Sequence, residues 1–384
     1  MPRRSRDQHL FDVGPKRILA LDGGGVRGIF TLQILKKIEA IVRQRTGDET
    51  ACLADYFDLI GGNSTGSIIA AGLARGWQVD RLDQLYRQLG GVIFKSNWLR
   101  WGPLRVLRPK FSAQPLRQVL CEEFGDTTLG DRTICTGLAI VTKRLDTGSP
   151  WVIFNNPKAP FFEQPADGSI PNQHYYLRDI IRASTAAPSF FQPERIKISD
   201  DVEGAFVDGG VSPHNNPALQ LLLLAILDGY KLSWPTGVDN LLVVSVGTGF
   251  KAMKKSTDKV MRMRALPLAL GALQSLMDDT SHLNELLLQM VSQSPTAREI
   301  DSEVGTGAAT ASRISPLISY LRYDVALEGQ WLQQHLGLEL TDARVKTLWE
   351  MDDPKTMNLL SDIGTLAAEK LLKDAHFPSA FDIT

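Results

Sequence analysis

Residues 57–73 read FDLIGGNSTGSIIAAGL. The apolar start at Phe57–Ile60 predicts a short buried strand, and the small apolar residues that end at Leu73 predict a helix. Between them, GNSTG at residues 62–66 matches the G-x-S-x-G nucleophile elbow, a sharp turn that pushes a serine Oγ out of the sheet. Ser64 is therefore a candidate nucleophile, and Gly62 and Gly66 leave room for the turn. The alternative is a glycine-rich loop whose serine only caps the helix.

The same succession of elements occurs earlier in the chain. Arg17–Leu21 predicts a strand, the glycines at 23–25 predict a turn, and apolar residues recur on one face of a helix from Gly28 to about Arg45. Two strand–turn–helix units in succession are typical of parallel strands joined by crossover helices. The sequence therefore predicts the α/β class with a mainly parallel sheet.

The chain divides into three predicted regions. Residues 1–15 are polar and predict a flexible tail, residues 16–250 form the predicted catalytic domain, and residues 251–384 predict a mainly helical C-terminal region. Helical periodicity in this last region is clearest at Leu266–Met290 and Asp324–His335. The catalytic domain contains further predicted strands at Gly137–Thr142, Trp151–Phe154 and Leu241–Val246, and further predicted helices at Pro115–Phe124, Tyr176–Ser184 and Asn216–Leu227.

The charge balance argues against a nucleic-acid-binding protein. The 384 residues contain 42 Lys and Arg against 43 Asp and Glu, so the whole chain has no net attraction for nucleic acid. Three widely spaced cysteines favour reduced thiols over a disulfide framework. The longest apolar run, Leu219–Leu227, is too short to span a bilayer. We expect a cytoplasmic protein.

A glycine-rich turn follows the first predicted strand. Residues 22–28 read DGGGVRG, and glycines before a helix let backbone N–H groups point toward an anion at the positive end of the helix dipole. Such a turn can hold a phosphate or a transient oxyanion. Its spacing does not fit the dinucleotide fingerprint, and a purely structural turn is the alternative.

A third glycine-marked turn places an acid at the end of an apolar run. Phe206 and Val207 precede Asp208, and Gly209 and Gly210 follow it. Asp208 is thus a candidate base, although an Asp-Gly hairpin turn is the alternative. Of the six histidines in the chain, His214 lies nearest to this turn in sequence, so it is the candidate for a Ser-His-Asp triad.

Taken together, the DGGGVRG, GNSTG and DGG turns resemble, in number and order, those of the patatin-like phospholipase family. The resemblance covers about residues 17–249. It implies a three-layer α/β/α fold, Ser64 as the nucleophile and Asp208 as its only activating partner. It also implies an oxyanion loop formed by Gly23, Gly24, Gly25, Arg27 and Gly28. Ser67 stands where many family members have glycine, and it is small enough for the helix.

The family resemblance implies a lipid acyl ester as substrate, with no cofactor and no metal. One further stretch supports contact with lipid, because no acid occurs between Asp83 and Glu122 while Trp98, Arg100, Trp101 and Arg105 do. Cations attract anionic headgroups and tryptophans settle at the membrane interface, so peripheral membrane contact is one prediction. A solvated surface with inward-packed tryptophans is the other.

Three functions therefore remain open at the level of sequence. The first is hydrolysis of phospholipid or lysophospholipid acyl esters by a Ser-Asp dyad through an acyl-enzyme. The second is a triad esterase that uses His214 on small soluble esters. The third is a non-catalytic module that binds phosphate or lipid. A homo-oligomer and a regulatory ligand also remain open, and the residues identify neither.

Overall fold

A nine-stranded mixed sheet organises the described part of the chain. The computed structural model describes residues 3–93, 109–251, 257–263, 265–305 and 314–383. The strand order is β5-β6-β3-β2-β1-β7-β9-β8, and β4 also pairs with β3. The strands are β1 (Lys16–Leu21), β2 (Leu59–Asn63), β3 (Gly137–Arg144), β4 (Ser149–Phe154), β5 (Glu194–Lys197), β6 (Glu203–Asp208), β7 (Leu241–Val246), β8 (Ser292–Gln293) and β9 (Ile318–Tyr323).

The six strands β3-β2-β1-β7-β9-β8 are all parallel, whereas β4, β5 and β6 add antiparallel pairs at one side. The prediction of a mainly parallel α/β sheet is confirmed. The helices are α1 (Arg6–Phe11), α2 (Gly28–Thr46), α3 (Leu53–Tyr56), α4 (Thr65–Ala74), α5 (Val79–Ile93), α6 (Gln114–Phe124), α7 (Leu177–Ser184), α8 (Ala218–Ile226), α9 (Thr257–Met261), α10 (Ala265–Met290), α11 (Gly329–Trp331), α12 (Asp342–Thr347) and α13 (Met357–Leu371).

The central strand shows why both faces of the sheet are covered. Alternate residues of a strand point to opposite faces, and β1 is buried along its whole length. Leu19 and Leu21 join a core with α2, α4 and α5, while Ile18 and Ala20 join a second core with α8. Helices on both faces give the predicted three layers.

The N-terminal segment differs from the predicted flexible tail. Residues 6–11 form α1, which begins with a capping box between Ser5 and Gln8. The side chain of His9 is fully buried, and its Nδ1 lies 2.9 Å from Oδ1 of Asp58. A polar contact between residues so far apart in sequence leaves no periodic signal, so the polar composition alone suggested a loose segment.

The C-terminal region is also less helical than predicted. The helix predicted at Leu266–Met290 is present as α10, but Asp324–His335 is helical only from Gly329 onward. The strand β9 lies just before it and extends the parallel sheet beyond β7. All six residues of β9 are buried, including Arg322, whose charge interrupts the apolar run in the sequence.

Within the described residues, none of the helices combines the length and the apolarity that a membrane crossing requires.

Candidate active site

The turn after β2 has the geometry of a nucleophile elbow. Ser64 has φ 52° and ψ −125°, a strained conformation for a residue with a side chain. A Cβ on Gly62 would overlap the carbonyl oxygen of Gly66, and one on Gly66 would overlap that of Leu21. Only glycine fits at these two positions, so the turn stays tight enough to project Ser64 from the sheet edge.

Ser184 holds this strained turn in place. The N–H of Ser64 donates to Oγ of Ser184 at 2.9 Å, and that hydroxyl donates to the carbonyl of Val141 at 2.6 Å. Ser184 is fully buried at the end of α7. Its hydrogen-bond partners lie on β3 and in the turn after β2, so no local sequence pattern predicts this role.

Strand β3 explains how Asp208 reaches Ser64. Asn63 at the end of β2 pairs with Val141, and Asp208 at the end of β6 pairs with the next residue, Thr142. Because β4 pairs along the opposite edge of β3, β2 and β6 occupy the same edge one after the other. The two strands run in opposite directions, so their ends meet, and the elbow serine lies beside the acid.

The carboxyl group of Asp208 is buried and surrounded by donors. Its side chain accepts a hydrogen bond from the N–H of Gly210 at 2.8 Å, and the side chains of Ser64 and Asn63 lie nearby. Burial raises the pKa of Asp208 to about 6, while the polar groups of Ser64, Gly210 and Asn63 and the positive charge of Arg182 lower it. A Cβ on Gly209 would overlap Oδ1 of Asn63, so this turn also requires glycine.

The glycine loop lies against the elbow, and most of its N–H groups are occupied. Gly23 donates to the carbonyl of Asn215 at 3.2 Å, Gly24 to Oγ1 of Thr65 at 3.2 Å, and Val26 to the carbonyl of Met351 at 2.8 Å. Gly25, at φ 61°, is the loop residue whose N–H has no acceptor within the described chain. In this conformation, one loop donor is available for an oxyanion.

Tyr86 and Arg27 flank the same loop. The Tyr86 hydroxyl donates to the carbonyl of Gly25, and it lies so close to Gly28 that a Cβ there would come within 2.5 Å of it. Nε of Arg27 donates to the carbonyl of Gly24 at 3.4 Å. Burial lowers the pKa of Arg27, while the carboxylates of Asp324 and Asp278 favour its charged form. The loop thus carries a cation beside its anion-binding turn.

A cavity of about 370 Å³ opens beside these groups. Ser64, Asp208 and the glycine loop lie along its wall, so the structure brings all three sequence motifs together. The rest of the wall is mainly apolar, which suits a hydrocarbon chain. Its apolar side chains include Ile68, Leu89, Ile93, Leu116, Phe190, Phe191, Met277 and Met351.

His214 lies outside this cavity wall as the structure describes it. Its Nδ1 is buried and has no hydrogen-bond partner in the described chain. Burial lowers its pKa, and the positive charge of Lys143 lowers it further. A triad histidine needs a carboxylate to orient it and to stabilise its charged form, so these surroundings do not favour His214 as a base.

In the described ranges, no group of three or more His, Cys, Asp or Glu side chains is placed to hold a metal ion. Trp98, Arg100, Trp101 and Arg105, the predicted membrane contacts, lie outside the described residues.

An α/β sheet that presents a serine elbow beside a glycine loop defines a hydrolase-type class of protein. A family model for patatin-like phospholipases matches residues 19–222, and the chain belongs to that family. Over 256 residues it is 33% identical to a "cGAMP-activated phospholipase" of Vibrio cholerae, covering 65% of this chain and 68% of that protein. It is 30% identical over 288 residues to a "cUMP-AMP-activated phospholipase" of Escherichia coli, covering 74% and 81%.

Plant and human proteins are also similar. Patatin-T5 of Solanum tuberosum is 30% identical over 248 residues, which is 60% of each chain. Among solved structures, human GIVD cytosolic phospholipase A2 aligns with a TM-score of 0.42 at 11% identity, covering 95% of this chain and 60% of that one.

Proposed function

We propose that the protein hydrolyses acyl esters of phospholipids or lysophospholipids, with Ser64 as nucleophile and Asp208 as general base. The observation that carries the proposal is the meeting of β2 and β6 on one edge of β3, where Asn63, the residue before Ser64, and Asp208 occupy adjacent register positions. Ser64 and Asp208 both line the apolar cavity, and a buried carboxylate beside an elbow serine supports a dyad. Burial and the positive charge of Lys143 both disfavour a charged His214, which argues against it as the base.

The chemistry follows in two balanced steps. Asp208 takes the Ser64 proton as Oγ bonds to the ester carbonyl carbon, and the proton passes to the departing alcohol oxygen as the C–O bond breaks. Water then attacks the acyl-enzyme, with Asp208 taking its proton and returning it to Ser64, which releases the fatty acid. The N–H of Gly25 is placed to stabilise the oxyanion in both steps, and a donor of this kind is typically worth about 3–4 kcal/mol.

The substrate class follows from the two sides of the site. The apolar wall accepts an acyl chain, and the cation of Arg27 on the glycine loop suits a phosphate on the leaving group. Phospholipids and lysophospholipids combine both features. We place no cofactor or metal in this reaction.

We further propose that a nucleotide ligand controls this activity. Two of the relatives carry names that describe activation by cGAMP or cUMP-AMP. In the present chain, the carbonyl of Met351 occupies the N–H of Val26, which therefore cannot serve as a second oxyanion donor. A resting enzyme with an incompletely open oxyanion loop is consistent with control by a ligand.

A fluorophosphonate probe tests the nucleophile directly. We expect covalent labelling of the wild type and of Ser379→Ala, which removes an exposed serine far along the chain, but not of Ser64→Ala. Labelling is measured by the mass of the intact protein, with cGAMP and cUMP-AMP each present and absent. A folded wild type that hydrolyses lysophospholipid but takes up no probe at Ser64 would refute the proposed nucleophile.

A further inference from the structure

A second cavity, of about 280 Å³, adjoins the apolar one. The two cavities share Arg27, Asn215, Asp278 and Met351 in their walls, so these residues stand between them. The second cavity has a different chemistry, because charged and aromatic side chains line most of it. Its size is close to the lower end for small-molecule sites, which range over about 300–1,000 Å³.

Two aromatic rings in this cavity each carry a cation on one face. Nζ of Lys251 lies 3.7 Å from the ring centre of Trp349, and the guanidinium of Arg298 lies 4.4 Å from that of Phe250. Glu285 holds Arg298 in this position through two hydrogen bonds, of 2.8 and 2.7 Å. The cavity therefore contains two aromatic rings paired with cations, and the guanidinium plane of Arg298 is fixed by Glu285.

This arrangement matches the parts of a nucleotide. Bases stack on aromatic rings and on arginine planes, and lysine and arginine pair with phosphates. The carboxylate of Glu350 in the same wall is an acceptor for amino or hydroxyl groups of a base or ribose, whereas both carboxylate oxygens of Glu285 already accept from Arg298.

The second cavity is connected to the catalytic loop at both ends of that loop. Asp22, which precedes the glycines, receives two hydrogen bonds from Arg322, at 3.0 and 2.6 Å, and both residues line the cavity. At the other end, Met351 accepts from Val26 at 2.8 Å. Nε1 of Trp349, two residues before Met351, donates to the carbonyl of Leu327 at 2.9 Å. A ligand that contacts Trp349 therefore acts on the segment whose Met351 carbonyl accepts the hydrogen bond from the N–H of Val26.

We propose that this second cavity binds a phosphate-bearing nucleotide, and that the bound ligand moves residues 349–351 so that the N–H of Val26 becomes free for the oxyanion. The regulatory part of this inference rests on the proposed hydrolase activity, because its effect is measured at Ser64. Binding of the nucleotide does not depend on catalysis, so it is tested separately.

Calorimetric titration of the full-length Ser64→Ala protein measures binding without turnover. The probes are cGAMP, cUMP-AMP and AMP, and we expect at least one to bind. Lys251→Gln and Trp349→Leu should each weaken that binding about tenfold or more, the loss expected when one charge-assisted or stacking contact is removed. Lys346→Gln, an exposed lysine on α12, should bind like the parent. Circular dichroism checks that each variant is folded. If Trp349→Leu does not fold, Lys251→Gln alone provides the test.

The rate at which fluorophosphonate labels wild-type Ser64 gives the second readout. We expect the bound nucleotide to raise this rate, and Lys251→Gln to require about tenfold more nucleotide for the same rise. No binding of any probe to the folded chain would overturn the inference, as would binding that Lys251→Gln leaves unchanged. Loss of phospholipid affinity in Lys251→Gln, without nucleotide binding, would instead assign the cavity to the lipid headgroup. Binding without any Ser64 labelling would refute the proposed catalysis and leave the nucleotide site standing.

Discussion

At the scale of single residues, the proposed mechanism makes the reaction depend on the ionisation of the buried Asp208. A base must be ionised, and burial raises the pKa of Asp208 to about 6. We therefore expect kcat/KM on a soluble short-chain ester to be constant above that pH and to fall about tenfold for each unit below it. A profile that stayed flat down to pH 4 would mean that Asp208 is not the titrating base.

The burial of Asp208 also makes the stability of the folded protein depend on pH. An acid whose folded pKa is raised binds its proton more tightly when folded, so its contribution to stability is greatest below about pH 4 and falls as pH rises through about 6. Because the pKa rises from 3.8 to about 6, the free energy of unfolding falls by about 3 kcal/mol over this pH range. We expect the free energy of unfolding of Asp208→Asn, relative to that of the wild type, to be higher at pH 8 than at pH 4. Urea unfolding of both proteins at both pH values measures this change. The same difference between the two proteins at pH 4 and at pH 8 would contradict the prediction.

His214 separates the dyad from the triad. The positive charge of Lys143 disfavours the charged imidazole that His214 would have to form in a triad. We expect His214→Ala to retain most of its kcat on lysophospholipid, measured by fatty-acid release. A triad would instead lose roughly 10⁶-fold in kcat on removal of its histidine.

The sequence signals the proposed reactive residues more clearly than the residues that support them. Ser64 and Asp208 stand in local motifs, in which glycines beside a polar side chain signal the turn. Ser184 and Met351 act through hydrogen bonds to Ser64 and Val26, each more than a hundred positions away, and no local pattern records such contacts.

At the scale of elements, β9 fixes the glycine loop to the sheet through Arg322. This side chain bonds to Asp22, to Asp324 at 2.6 Å and to Ser245 at 2.7 Å, all in the buried interior. Arg322→Met would leave two carboxylates buried without their counterion, so we expect a loss of about 3–5 kcal/mol in free energy of unfolding. Urea denaturation near neutral pH measures it.

Arg195→Met is the matched control for this prediction. Arg195 on β5 pairs with Glu203 on β6 at 2.9 Å, both side chains are exposed, and exposed pairs typically contribute about 0–1 kcal/mol. Equal losses in the two variants would show that the buried network does not stabilise the fold.

The elements that the sequence predicted correctly are those whose apolar pattern is local. Strand β1 and helix α2 have continuous or one-faced apolar residues. Helix α1 is mostly polar and depends on the contact between His9 and Asp58, and β9 carries a buried arginine. A charged residue in a sequence predicts an exposed position, because the sequence does not show which partner would pair with it in the interior.

At the scale of the whole molecule, β8 and β9 of the C-terminal region extend the sheet. The edge of β7 pairs with β9 through five register positions, and α13 packs on α2, which covers one face of the catalytic core. A chain that ends at residue 250 would expose the backbone of β7 and the apolar side of α2. We expect this truncation to be insoluble or to unfold without a cooperative transition, measured by differential scanning calorimetry and by its partition after lysis. A truncated protein that is soluble, unfolds cooperatively and still labels at Ser64 would show instead that residues 16–250 are an independent domain.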